Sequence, residues 1–374
     1  MQPLRHVLRL VGKELMSLRC DPVMLVFLVY GFTAMIYVMA NGVSLELRNA
    51  SVAIVDEDHS ILSRRFADAL APPYFRNPVE LPADEIDRAM DRALYTFVID
   101  VPPDFEADVV AGRTPTVQLN VDATAMSQAG IGAVYIRAIL LEEAAEFTSG
   151  SPETPDSAVR LVTRAQFNPN LVGSWFMGIN GLTMVVAMLS VILTGAAIIR
   201  EREHGTLEHL LVMPLRPFEI MLGKIVANSL VVLAATALST AVVIRGMLGA
   251  PLHGSPLLFL TGAALNVFAM TCLGVTLATL VRSMPQFGLL MMLVVIPVNI
   301  LSGGNTPFDA MPDVIRWIMF FSPTTHFVTI SQAILFRGAG LAAVWLPFVA
   351  VALIAAVLFG VALARFRASV ATTT

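Results

Sequence analysis

Cysteine is almost missing. Cys20 and Cys272 are the two in 374 residues, one beside the first apolar run and one inside the fourth, so no disulfide can brace the long polar segment and dithiol redox chemistry is excluded. Charge is scarce as well, at 14% against 56% hydrophobic residues with a mean hydropathy of +0.74, and a chain of that balance is a membrane protein. The scarcity becomes complete in six runs without Asp, Glu, Lys, Arg or His: 22–45, 173–199, 225–244, 254–281, 283–308 and 338–364. Each can cross roughly 30 Å of hydrocarbon as a helix. The first ends in a signal-peptide-like Val38-Met39-Ala40, but it is too long and too far along the chain for that and reads as an uncleaved anchor.

Catalytic motifs are missing too. No G-x-x-x-x-G-K-[ST] phosphate loop occurs, so if nucleotide drives the protein another chain binds it. His204, Glu208 and His209 do not make a zinc site of the H-E-x-x-H kind, because histidines five apart lie about 140° around a helix. A G-x-S-x-G elbow is absent. The chain is therefore expected not to be an enzyme and to hold no cofactor or metal of its own, and no nucleic-acid partner is expected. The uncharged runs lack the carboxylates or histidines that a proton-driven carrier keeps in the bilayer. Their polar residues include Asn180, Asn228, Asn266 and Asn299, candidates for a substrate path or for hydrogen bonds between helices.

What is present is ordered. Arg5, Arg9, Lys13, Arg19, Arg200, Arg202, Arg216, Lys224, Arg282, Arg365 and Arg367 fall on one side of the predicted spans, against Arg245, Arg316 and Arg337 on the other. The excess of basic residues places both termini in the cytoplasm. The expected fold is an α-helical membrane protein of six transmembrane helices, with an extracytoplasmic α/β domain between helices 1 and 2. The parts are an interfacial amphipathic helix at 1–21, spans at 22–43, 174–199, 218–244, 255–281, 284–303 and 341–364, the outer domain at 44–173, a cytoplasmic helix at 200–217, outer re-entrant or interfacial helices at 304–340 and a tail at 365–374. In the first helix Leu4, Val7, Leu8, Val11, Leu15 and Leu18 share a face, with Arg5, Arg9 and Lys13 opposite, toward lipid headgroups. The outer segment holds 20 acidic and 10 basic residues. Strands are expected over 51–56, 96–100 and 116–122, and helices over 62–70, 83–95 and 129–147. The acidic cluster Asp56, Glu57 and Asp58 reads as a solvated turn rather than a cation site.

Between the second and third spans the sequence IIREREHGTLEHLLVMPL turns abruptly from apolar to charged. Leu207, Leu210 and Leu211 form one stripe of a short amphipathic helix, stopped by Pro214 and Pro217 and joined through Arg200 and Lys224 to the flanking spans. This segment resembles the signature of ABC-2-type permeases, E-R-E-x-G-T-L-E-x-L-L-x-x-P-L. Residues 97–105 with Gly112, Leu301 to Gly304, Met311-Pro312 and Ser322 to Thr324 are similar to further stretches of that family. His204, His209 and Met213 depart from the residues more usual there, as does Ser331-Gln332 where many relatives carry an arginine.

The resemblance implies a coupling helix made of Glu201, Arg202, Glu203, Gly205, Thr206, Leu207, Glu208, Leu210, Leu211 and Pro214, seated on a separate cytoplasmic ABC ATPase that binds ATP and Mg. It implies a dimer with a second copy or a related permease in the bacterial inner membrane, exporting drug-like or lipid-like compounds, with a periplasmic membrane-fusion adaptor as a candidate partner. A membrane-anchored sensor and a secondary transporter are the competing readings.

Overall fold

In hydrocarbon each peptide group must find its hydrogen-bond partner within its own segment, so long uncharged runs become helices. The computed structural model describes residues 2–42, 47, 49–122, 124, 126–149, 172–203, 205, 216–306 and 308–371. The chain divides into two units, 1–43 with 166–374, and 44–165.

The first unit is helical. Helix α1 is Gln2–Arg19 and α2 is Pro22–Gly42, opened by Pro22 in its first turn and by the Asp21 carboxylate, which accepts from Met24 N–H. Then come α3 (Gly173–Glu203), α4 (Pro217–Met247), α5 (Pro256–Leu280), α6 (Met284–Ile300), α7 (Asp313–Phe320), α8 (Pro323–Leu335) and α9 (Leu341–Ala371). Helix α3 is the axis of the unit, buried almost without break from Gly178 to Ile199. Toward one end Leu182, Val186 and Leu189 meet Phe259 and Val267 of α5 and Phe327 of α8; toward the other Val191 and Ile198 meet Met221 of α4, Phe287 of α6 and Phe366 of α9.

Among the described residues five helices, α2, α3, α4, α5 and α9, are long and apolar enough to cross a membrane, or six if the pair α7 and α8, bent by 87°, counts as one crossing. The fifth expected span is shorter than its uncharged run: of residues 283–308 the α-helix covers Met284–Ile300, about 25 Å at 1.5 Å per residue. Pro297 weakens its last turn, and Gly303, at φ +92°, then turns the chain away. The span expected at 218–244 is helix α4, which starts at Pro217 and so carries Glu219 and Lys224, both buried, ahead of the uncharged run that begins at Ile225. The buried face of α1 is Val7, Leu10, Val11 and Leu18, while Leu8 and Leu15 are exposed, because α1 lies against α4, where Val7 and Val11 meet Ala227.

The second unit has a four-stranded sheet ordered β2-β1-β3-β4, with β1 Val52–Asp56, β2 Val79–Glu80, β3 Phe97–Val101 and β4 Gln118–Val121. Strand β1 runs parallel to β2 and β3, and β4 is antiparallel to β3. Both faces of β1 and β3 are covered, as parallel strands require: Ile54 and Ile99 by Leu62, Phe66, Phe105 and Ile136, and Ala53, Val55 and Val98 by Ile86 and Met90. The helix expected over 83–95 shrinks to a 3-10 turn and Ile86–Asp91, since Ala93 takes a left-handed φ of +50°. In the acidic turn, Asp56 accepts from the N–H groups of Asp58 and His59 and from the Ser63 hydroxyl.

Lipid supplies no hydrophobic drive between helices, so small residues that let backbones meet decide the packing. A Cβ added at Gly274 of α5 would stand 2.7 Å from the Val191 carbonyl oxygen of α3. Gly274→Ala is expected to cost about 1–3 kcal/mol, read as a lower unfolding temperature of the purified protein in detergent, whereas alanine at Gly288, where nothing stands within 4 Å, leaves it unchanged.

Candidate functional site

Helix α3 ends in four charges in a row, Arg200, Glu201, Arg202 and Glu203. At 100° per residue four successive side chains fan around the whole helix, and each of these reaches a different neighbour. Arg200 pairs with Asp21 at the head of α2. Arg202 donates to the Val281 carbonyl at 2.7 Å, just past the end of α5, and to the Ser369 hydroxyl of α9 at 2.7 Å. Glu203 accepts from Met284 N–H at 2.9 Å, the first residue of α6. A cation at a helix C-terminus and an anion at a helix N-terminus both suit the backbone dipoles.

Glu201 belongs to a closed ring. Lys13 Nζ lies 2.6 Å from Glu201 and 3.5 Å from Glu14, while Lys224 Nζ lies 2.9 Å from Glu14 and 2.7 Å from Glu201. Two cations and two anions alternate, so the ring is neutral, and it ties α1, α3 and α4 together. Lys224 is 1% exposed. A buried ammonium is tolerated only when paired on this scale. Burial acts to lower the Lys13 pKa, but its hydrogen bond to Glu201 and the charges of Glu201 and Glu14 raise it above the ordinary lysine value. Its stabilising charge is therefore complete below the unfolded value and is lost only as pH climbs through the higher folded one. At neutral pH Lys13 therefore carries its charge.

The ring needs α1 close to α4, and Gly223 permits it: a Cβ there would sit 2.8 Å from that of Leu10. Glu219 caps α4, accepting from Arg216 N–H at 2.9 Å, with His6 Nδ1 3.6 Å away. Past the charges, Gly205 takes φ +68° and its N–H bonds to the Arg202 carbonyl, a left-handed turn that closes α3.

The family profile described as ABC-2 family transporter protein matches residues 22–364. The chain belongs to the ABC-2 transporter family. It is 46% identical over 372 residues, all of both chains, to the inner membrane transport permease YhhJ of Escherichia coli strain K12. From the same organism, the protein named "Probable multidrug ABC transporter permease YbhR" is 30% identical over 368 residues, covering 96% of this chain and 98% of that one, and the similarly named YbhS is 24% identical over 339 residues, 89% of each.

Of the expected coupling residues of this ABC-2 protein, Glu201, Arg202, Glu203 and Gly205 are placed, the three charged ones facing neighbouring helices of the same unit. Thr206, Leu207, Glu208, Leu210, Leu211 and Pro214 lie outside the described residues. Among the described residues no hydrogen bond joins any two of the four asparagines. Asn180 donates to the Gly304 carbonyl, and Gln332 lies 3.3 Å from its Oδ1, so it ties α3 to α8 and to the turn after α6. Asn228 and Asn299 donate back to Lys224 and Val295 on their own helices. Asn266 is fully buried and neither polar atom has a partner among the described residues.

Sequence reasoning missed Lys13, Glu14 and Lys224 as a group. A signal was available: Glu14 falls on the face of α1 occupied by Val7, Val11 and Leu18, and an acid on an apolar stripe needs a cation opposite it. Lys224→Met, which strands two carboxylates on Lys13 alone, is expected to cost about 3–5 kcal/mol. Adding Glu201→Gln restores part of that loss, and a double-mutant cycle on unfolding temperatures in detergent checks the coupling.

Proposed function

We propose that the chain is the membrane subunit of an ATP-driven exporter in the bacterial inner membrane, working as a pair of identical or related permeases above a separate ABC ATPase. The observation that carries the reading is the four-way charged end of α3. It binds α2, α1 with α4, α5 with α9, and α6 immediately before the segment 204–215, whose sequence resembles the helix that receives an ATPase in this family. A displacement of that segment would be delivered to all these helices at once. The excess of basic residues assigns this end to the cytoplasm, and puts the α/β unit outside.

In this reading Leu207, Leu210 and Leu211 fill a groove of the ATPase, while Glu201, Arg202 and Glu203 pass its motion inward. The cargo is an amphipathic or hydrophobic compound, in line with the multidrug label of the relative YbhR and with spans whose only buried ion cluster lies at one end among the described residues. An outer adaptor would take the cargo on. The buried Lys224 ring supports one rival, a secondary transporter, because ionisable groups inside a membrane protein commonly serve ion relays.

Two variants of the full chain, each co-expressed with a candidate ABC ATPase that co-purifies with the wild-type chain, separate receiving from transmitting. Leu210→Glu is expected to abolish co-purification of the ATPase with membrane insertion unchanged. Glu201→Gln with Lys224→Met keeps the ATPase bound but lowers transport at least tenfold, a transition-state loss on the order of 1.4 kcal/mol. Undiminished co-purification with Leu210→Glu refutes the coupling assignment, and transport that persists without nucleotide favours the secondary transporter.

A further inference from the structure

The ends of α3, α5 and α9 enclose a pocket of about 570 Å³ whose lining includes Arg202, Arg282, Arg365, Thr279 and Ser369, with no carboxylate among the lining residues. Arg202 is held by the Val281 carbonyl and the Ser369 hydroxyl, while Arg282 and Arg365 are exposed. Three guanidinium groups facing one space repel each other, and an anion with several oxygens is the chemistry that relieves them.

The apolar side of the occupant is visible on the same helix. Higher on α9 lies a groove of about 600 Å³, apolar but for His326, floored by Pro347, Ile354 and Val357 and walled by Phe320 and Phe321. Pro347, Ile354, Val361 and Ala368 recur every seven residues and so share one face of α9. The first two line the groove, the last lines the arginine pocket, and Val361 between them is 43% exposed. A polar pocket for an anion, continued by an apolar track along a membrane helix, is a receptor for an amphiphile rather than for a peptide carboxylate or a free ion.

We infer that this face of α9 seats one anionic phospholipid, its phosphate among Arg202, Arg282 and Arg365 and an acyl chain running over Val361 into the apolar groove. Basic pockets between helix ends at the membrane surface have the electrostatics for such a headgroup. Because Arg202 neighbours Glu201 in sequence, the lipid would brace the charged end of α3. The inference rests on the helices lying in a bilayer and not on the ATPase reading, so either can fail alone.

The test is retention of phosphatidylglycerol, against phosphatidylcholine, by the purified full chain in detergent, followed by native mass spectrometry and by unfolding temperature. Arg282→Gln with Arg365→Gln leaves Arg202 to hold its helix ends, and Arg367→Gln removes an exposed charge that does not line the pocket. Phosphatidylglycerol is expected to be retained selectively and to raise the unfolding temperature. The double variant weakens retention about thirtyfold, the factor that two arginines at an anionic surface supply, and Arg367→Gln leaves it unchanged. Equal retention by wild type and double variant overturns the inference, as does equal loss in Arg367→Gln, which would mean diffuse surface charge. Stabilisation by inorganic phosphate alone to the same extent makes the ligand a free anion and overturns the lipid.

Discussion

A run of four charges at the end of an otherwise apolar helix has one way to be accommodated without water, which is to find a partner in every direction. That constraint organises the helical unit. Arg200, Glu201, Arg202 and Glu203 cannot all face solvent, because consecutive residues point around the full circle of α3 and α3 is the most enclosed helix of the unit. The neighbours supply what each needs: a carboxylate for Arg200, two ammonium groups for Glu201, exposed carbonyls for Arg202 and an unsatisfied N–H for Glu203. The positions of the helix ends follow. Helix α5 must stop where Val281 can present its carbonyl, and α6 must start where Met284 can present its N–H.

The ring of Lys13, Glu201, Lys224 and Glu14 makes the stronger demand. Taking a lysine to 1% exposure costs several kcal/mol in desolvation, and the attraction of its partners offsets that cost only when the geometry is kept. A ring of this kind adds little net stability over an apolar packing of the same shape, yet it punishes any arrangement in which α1, α3 and α4 separate. Its effect is to fix register. The contact of Leu10 with Gly223 serves the same end, since a larger residue beside Lys224 would push α1 away and open the ring.

Much of this was legible in the sequence, and the failures have physical causes. Helices were visible as uncharged runs because burial in lipid is written into composition, and the start of α4 was visible as well, in Pro217 with Glu219 in its first turn. The end of α6 was not: the helix stops at Ile300, short of the expected 303, because Pro297 weakens its last turn and the chain turns away at Gly303. In the α/β unit the strands carrying Val52 to Asp56 and Phe97 to Val101 were evident from their β-branched and aromatic residues. The two-residue strand Val79–Glu80 was not, because it is defined by pairing with Ala53 and Ile54 and not by its own pattern. The fan of contacts at Arg200 to Glu203 lay further out of reach, since it pairs residues as much as 188 positions apart.

Two helices gripped by the charged end, α2 through Asp21 and α4 through Lys224, are among the described residues the two that carry π-helical turns. Residues Gly31–Met35 of α2 and Thr240–Met247 of α4 are wound as π-helix, which loosens the normal hydrogen-bond ladder and frees carbonyls. One of them, on Phe32, accepts from the Ser239 hydroxyl at 2.6 Å, so the loosened stretch of α2 is bonded to α4 at the residue just before its own loosened stretch. Helices held by charge at one end and joined at a softened turn further along cannot tilt independently. A displacement imposed on the end of α3 is carried by both, and the turns at 31–35 and 240–247, where backbone bonding is weakest, are where bending costs least.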